Sequence, residues 1–123
     1  MRRTILATCL VAVTALAGEK YIGTISAQTA TSYNNSTTDA GFAIPSNQKL
    51  SVQCDEASFV RVCDKLSGCS ATTVNGVRVA QNELFQTSTP STTTGSAFVS
   101  VLSTVTDGGY SDCNVFLRAG NER

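Results

Sequence analysis

AFVSVLSTV, residues 97–105, is the stretch that decides the fold class. Side chains of an extended chain point alternately to opposite faces. Ala97, Val99, Val101 and Val105 therefore share one face, and Phe98 and Leu102 the other. β-Branched and aromatic residues at this density fit a pleated strand better than a helix. Both faces carry apolar groups, so the strand is expected either at the centre of a sheet or against another subunit. The second possibility makes Phe98 and Leu102 candidate interface residues.

Segments on either side repeat the pattern. CNVFLR, residues 113–118, reads as the last strand, after a turn at Asp107-Gly108-Gly109. Upstream, Leu50, Val52 and Cys54 fall on one face of a strand over 49–54. Asp55 to Ser58 then reads as a hairpin loop, with FVRVC at 59–63 as the returning strand. That hairpin would set Cys54 opposite Phe59 and Val52 opposite Arg61. A charge would then sit among apolar neighbours, so a bulge or a different register is expected. Asn75-Gly76 is a strong turn signal and suggests a short hairpin of residues 71–74 with 77–80. Residues 81–86 turn the chain, with Phe85 tucked inward, and 87–96 form a polar surface loop.

Composition agrees. Only 15% of residues are charged, against about 25% in a typical domain. The difference is made up by 17 Thr and 14 Ser, and Thr suits a half-exposed strand. The expected fold is all-β: a β-sandwich or jelly-roll-like barrel of six to eight short antiparallel strands. Its span is residues 41–123, after a polar linker at 28–40 and an N-terminal arm or signal-like segment at 1–27. Leu50, Val52, Val60, Val62, Val77, Val79, Val99, Val101, Val115 and Leu117 are the expected core. In the linker, Asn34-Asn35-Ser36 and Asn35-Ser36-Thr37 match the glycosylation acceptor pattern, which is short and frequent by chance.

Residues 1–17, MRRTILATCLVAVTALA, admit two readings. Two arginines before an apolar run, with Ala15-Leu16-Ala17 behind it, have the grammar of a secretory signal. The run from Thr4 to Ala17 is shorter than the roughly 20 residues needed to span a bilayer. The same residues also read as a retained arm, followed by strand-like KYIGTIS at 20–26. Such an arm would add a strand to a neighbour's sheet edge, with Ile5, Leu10, Val11 and Val13 as its anchors. The cysteines bear on the choice. There are five, and removing residues 1–17 leaves Cys54, Cys63, Cys69 and Cys113. Four cysteines allow three pairings. Cys63 and Cys69 flank a short loop and could close it, and Cys54 with Cys113 would then join distant parts of the sheet. Free, buried thiols fit the sequence equally.

Catalytic chemistry finds little support. The chain has no histidine, which removes Ser-His-Asp and Cys-His catalysis and imidazole-based zinc sites. The cysteine spacings lack the close pairs of a four-cysteine zinc site. Asp55, Glu56, Asp64, Glu83, Asp107 and Asp112 all fall in predicted turns, where acidic residues are ordinary. There is no tryptophan and there are few aromatics to build a sugar platform, so glycoside hydrolysis is not expected. Residues 107–112, DGGYSD, offer oxygen ligands without EF-hand spacing, and a plain turn accounts for them. Gly108-Gly109 lacks the lysine and helix of a phosphate-binding loop. No enzyme activity, cofactor or metal is expected. The net charge is zero with no basic block, so no nucleic-acid footprint is visible.

The succession GFAIPSNQKLSVQCD (41–55), SFVRVCD (58–64), VRVAQNELF (77–85), AFVSVLS (97–103) and CNVFLR (113–118) resembles small β-sandwich head decoration, or cement, proteins of tailed bacteriophages. The resemblance implies a structural virion protein that binds the outer capsid lattice, commonly as a trimer or dimer, and stabilises joints between major capsid proteins. It carries over no functional residue, since such proteins act through surface shape. Its expected partners are the major capsid protein or another virion protein, and further copies of itself. A signal-like start departs from this pattern, because virion proteins assemble in the cytoplasm. The competing expectation is a secreted or periplasmic disulfide-bonded β domain with an adhesion or surface-structure role.

Overall fold

Alternation sorts side chains into a buried and an exposed set on each strand, and two sheets close over the buried sets. The computed structural model describes residues 19–37 and 40–118. Its strands are β1 (Glu19–Ala27), β2 (Tyr33–Asn34), β3 (Ile44–Pro45), β4 (Lys49–Cys54), β5 (Ser58–Cys63), β6 (Val77–Val79), β7 (Leu84–Ser88), β8 (Ser96–Ser103) and β9 (Ser111–Arg118). The first sheet has the order β1-β9-β4-β7, and the second β2-β8-β5-β6, with β3 also paired to β8. All pairings are antiparallel. The fold is a β-sandwich, as the alternation predicted, with β2 and β3 contributing only two residues each.

Both sheets feed one core. Ile25, Leu50, Val52, Cys54, Cys113 and Val115 enter from the first sheet, and Ile44, Val60, Val79, Val99 and Val101 from the second, all essentially solvent-free. Each fully buried aliphatic side chain is worth about 1.5–3 kcal/mol relative to exposure. Phe42, Phe85, Val62 and Leu117 pack against this cluster while partly exposed. Val77, expected in the core, is 51% exposed. It opens the three-residue edge strand β6, and only Val79 of that strand reaches the core.

The expected hairpin between 49–54 and 58–63 does not form. β4 pairs with β7 and β9, whereas β5 pairs with β6 and β8. The chain at Asp55–Ala57 crosses from one sheet to the other. Arg61 thus faces Ser100 of β8, not Val52, which removes the conflict of a charge among valines. The second expected hairpin, around Asn75-Gly76, is also replaced. Asn75 Oδ1 accepts hydrogen bonds from the Thr72 backbone N–H and hydroxyl, both at 2.8 Å. The Gly76 N–H donates to Thr72 O at 2.9 Å. Residues 71–76 are therefore a side-chain-capped turn, as Asn and Thr favour through local backbone bonds.

The sandwich begins earlier than residue 41. β1 pairs with β9 from Glu19 opposite Arg118 to Ala27 opposite Ser111, with an irregularity between Tyr21 and Gly23. Ile25 and Ala27 are fully buried, so 19–27 is a structural strand and not a detachable arm. A Cβ at Gly23 would run into the Phe42 ring, which seals the core beside this edge strand. Residues 28–37 are also tied in. Asn35 is 2% exposed; its Nδ2 donates to Phe42 O and its Oδ1 accepts from Val99 N, each at 2.9 Å.

Two disulfides staple the fold. Cys54 and Cys113 are register partners on neighbouring strands β4 and β9 and are bonded within the core. Cys63, at the end of β5, is bonded to Cys69 six residues on. The structure thus adopts the pairing in which one bond closes a short loop and the other joins sequence-distant strands.

Candidate functional site

The bifacial strand β8 explains the most distinctive surface. Val99 and Val101 point into the core, so Ser100 points outward, yet Ser100 is fully buried. It is covered by the chain that follows β5. The Cys63–Cys69 bond turns this chain back over the sheet, and the Arg61 guanidinium Nη1 donates to Gly68 O at 3.1 Å and Ser70 O at 3.3 Å. The Ala71 N–H then donates to Ser100 Oγ at 2.8 Å, with Ala71 itself buried. A Cβ at Gly76 would approach Phe59 Cβ to 2.9 Å, so the end of this segment lies close on the outer face of β5. The protein covers its own second sheet with a folded-back loop.

Phe98 and Leu102 lie on that same outward face, opposite Cys63 and Phe59, and both are partly exposed. The folded-back loop therefore accounts for part of the apolar character that suggested a subunit contact. The other interface candidates, Ile5, Leu10, Val11 and Val13, lie outside the described residues.

Between the stapled loop and the Thr-rich loop that precedes β8 runs a groove of about 520 Å³. Phe98 and Leu66 give it apolar surface, Thr93 and Thr94 give it hydroxyls, and Asp64 and Lys65 also line it. A smaller groove of about 320 Å³ adjoins it, sharing Asp64 and Lys65 and adding Arg61 and Pro90. The Thr92 hydroxyl at the wall is buried and has no hydrogen-bond partner among the described residues. Nothing in the sequence pattern placed these loops together. The only signal was the short Cys63–Cys69 spacing, which forces its loop to stay beside β5.

Elsewhere, carboxylates serve the backbone or neighbouring hydroxyls. Asp55 Oδ1 accepts from Asp112 N at 2.9 Å, Glu83 Oε1 from Ala80 N at 2.8 Å, and Asp107 Oδ1 from Gly109 N at 3.0 Å. Asp112 Oδ1 accepts from the Ser26 hydroxyl at 2.7 Å. Asp107 thus caps its own turn, where Gly108 takes a left-handed φ of 85°, and Asp112 sits on β9 paired across the sheet. Among the described residues, no group of three or more His, Cys, Asp or Glu is placed to hold a metal ion. Of the two acceptor-pattern asparagines, Asn35 has its amide buried and bonded at both ends, which leaves no room for a glycan in the folded state.

The first sheet presents a different outer face. Tyr21, 55% exposed, meets Phe116 edge-to-face with ring centroids 5.8 Å apart. Beside them the Tyr21 hydroxyl is bonded to Thr24 Oγ1 at 2.6 Å, which donates onward to Asn114 Oδ1 at 2.7 Å. β1 has no strand on its far side among the described residues. An aromatic pair thus stands next to a free sheet edge.

These features define a two-sheet antiparallel sandwich with one core staple and one loop staple. No protein-family model, curated protein or solved structure matches the chain.

Proposed function

We propose that this chain is a non-catalytic structural protein of a virion exterior, a decoration or cement protein that binds the outer capsid lattice and stabilises it. The observation that carries the reading is the edge of β1, unpaired among the described residues, with the aromatic pair of exposed Tyr21 and half-buried Phe116 beside it. A free edge offers main-chain hydrogen bonds to a partner strand. Aromatic side chains beside it supply contact area at low conformational cost. The absence of histidine and the use of carboxylates as turn caps support a role through surface rather than reaction.

A second reading, a secreted or periplasmic domain with an adhesion or surface-structure role, is favoured by the two disulfides. Such bonds form and persist in oxidising compartments. A virion released by lysis also meets an oxidising medium, so bond formation alone does not separate the readings; processing does. Intact-mass measurement of the native protein in density-gradient fractions tests them. The decoration reading expects the full-length or Met-trimmed chain banding with capsids. A soluble chain that has lost residues 1–17 overturns it in favour of export.

A further inference from the structure

We propose that the paired grooves between the stapled loop and the Thr-rich loop bind an oligosaccharide. This goes beyond the structural role and stands whichever exterior surface carries the domain. The larger groove, about 520 Å³, lies within the range of small-ligand sites. Its surface is mixed in the way a sugar requires. The Phe98 ring and Leu66 side chain offer an apolar floor for the C–H face of a pyranose. The Asp64 carboxylate accepts hydrogen bonds from ring hydroxyls, Lys65 donates to them, and threonine hydroxyls do either.

Other ligand classes fit less well. A phosphate-bearing nucleotide would face Asp64 beside Lys65, which cancels much of the attraction. An extended peptide would want a free strand edge, and the groove lies over the outward side of β8, whose edges are taken by β5, β2 and β3. The adjoining groove shares Asp64 and Lys65 and brings in Arg61. The binding surface therefore continues past one ring. The Cys63–Cys69 bond and the Arg61 contacts to Gly68 O and Ser70 O hold Asp64, Lys65 and Leu66 in place. Preorganisation of this kind limits the ordering cost of binding.

The test is a titration of the full-length oxidised protein with chitotriose, cellotriose and trigalacturonate, followed by amide chemical shifts. At least one probe is expected to give saturable shifts at Leu66, Thr93 and Phe98 with a millimolar dissociation constant. Asp64→Asn, at an exposed position, and Phe98→Ala should each weaken binding by about tenfold, or 1.4 kcal/mol. The pair Cys63→Ser with Cys69→Ser should weaken it comparably, while the Cys54–Cys113 bond keeps the sandwich folded. If no probe gives saturable shifts there, or if binding survives Asp64→Asn and Phe98→Ala unchanged, the proposal is wrong. Either result is independent of where the chain bands in a gradient, so it fails or stands separately from the capsid reading.

Discussion

The two disulfides should stabilise the fold very unequally, and the difference can be worked from chain separation. Cys54 and Cys113 are 59 residues apart, Cys63 and Cys69 only 6. A cross-link stabilises chiefly by removing conformations from the unfolded chain, an effect that grows with the logarithm of the loop closed. At 25 °C the chain-entropy relation gives about 4 kcal/mol for the long loop and about 2 kcal/mol for the short one. Replacing cysteines would confuse this with a packing change, because Cys54 and Cys113 are fully buried. The clean comparison uses two single-disulfide variants, Cys63→Ala with Cys69→Ala and Cys54→Ala with Cys113→Ala. Each is unfolded in urea in its oxidised and reduced forms. The oxidised-minus-reduced difference should be about 2 kcal/mol larger in the variant that keeps the core bond. The urea dependence should also steepen more on reduction there, since the unfolded chain expands further. Equal differences, or a larger one for the short loop, would refute the reasoning.

Other consequences follow from packing and hydrogen bonding. Gly23→Ala should cost about 1–3 kcal/mol by forcing the Phe42 ring aside, and urea unfolding in a Phe42→Ala background should show most of that cost gone. Asn35→Ala strands the Val99 N–H and the Phe42 carbonyl; each buried orphan costs about 1–3 kcal/mol, so the melting temperature should fall well below that of a surface control such as Thr73→Ala. Deleting residues 19–27 removes a whole strand with Ile25 and Ala27 from the core, and circular dichroism should show a chain that no longer folds cooperatively. Ser100→Ala should free the Ala71 N–H and raise hydrogen exchange in residues 64–76 while leaving β4 and β9 protected.

Periodicity made the faces of the strands legible, and it left their partners open. Val52, Val60, Val99 and Val101 point inward as their spacing requires. A two-residue period does not say which strand lies alongside, however, and a short polar stretch such as Asp55–Ala57 serves an inter-sheet crossing as well as a hairpin. Arg61 opposite Val52 was the sign that the hairpin was wrong. The double apolar face of β8 marks a strand central in a sheet or against another subunit. β8 lies inside the second sheet, with a loop folded over part of its outer face. The cover was missed because it is an irregular loop, whose position depends on one disulfide, one arginine and one buried serine rather than on any repeat. Asn75-Gly76 misled for a related reason: Thr72, three residues before Asn75, captures its side chain and makes a capped turn in place of a hairpin. Asn35 offered no sequence signal of its structural role, since its partners Phe42 and Val99 come from two other segments.

The position of the core disulfide also sets how this domain would bear a load. Glu19 and Arg118 face each other at the same end of the first sheet. Tension applied to those two points opens β1 from β9 one residue pair at a time, like a zipper, instead of shearing all pairs together. Strands β2 and β3, paired to β8, and then β4 join the extending chain, and the opening then meets the covalent bond between Cys54 and Cys113. Everything from residue 54 to 113 lies behind that bond, including the stapled loop and both grooves, and is shielded from further extension. Strands β5, β6 and β8 would thus stay unstretched while the chain before Cys54 yields, and a ligand held in the grooves would remain attached to a tether that lengthens by a fixed amount and then stops.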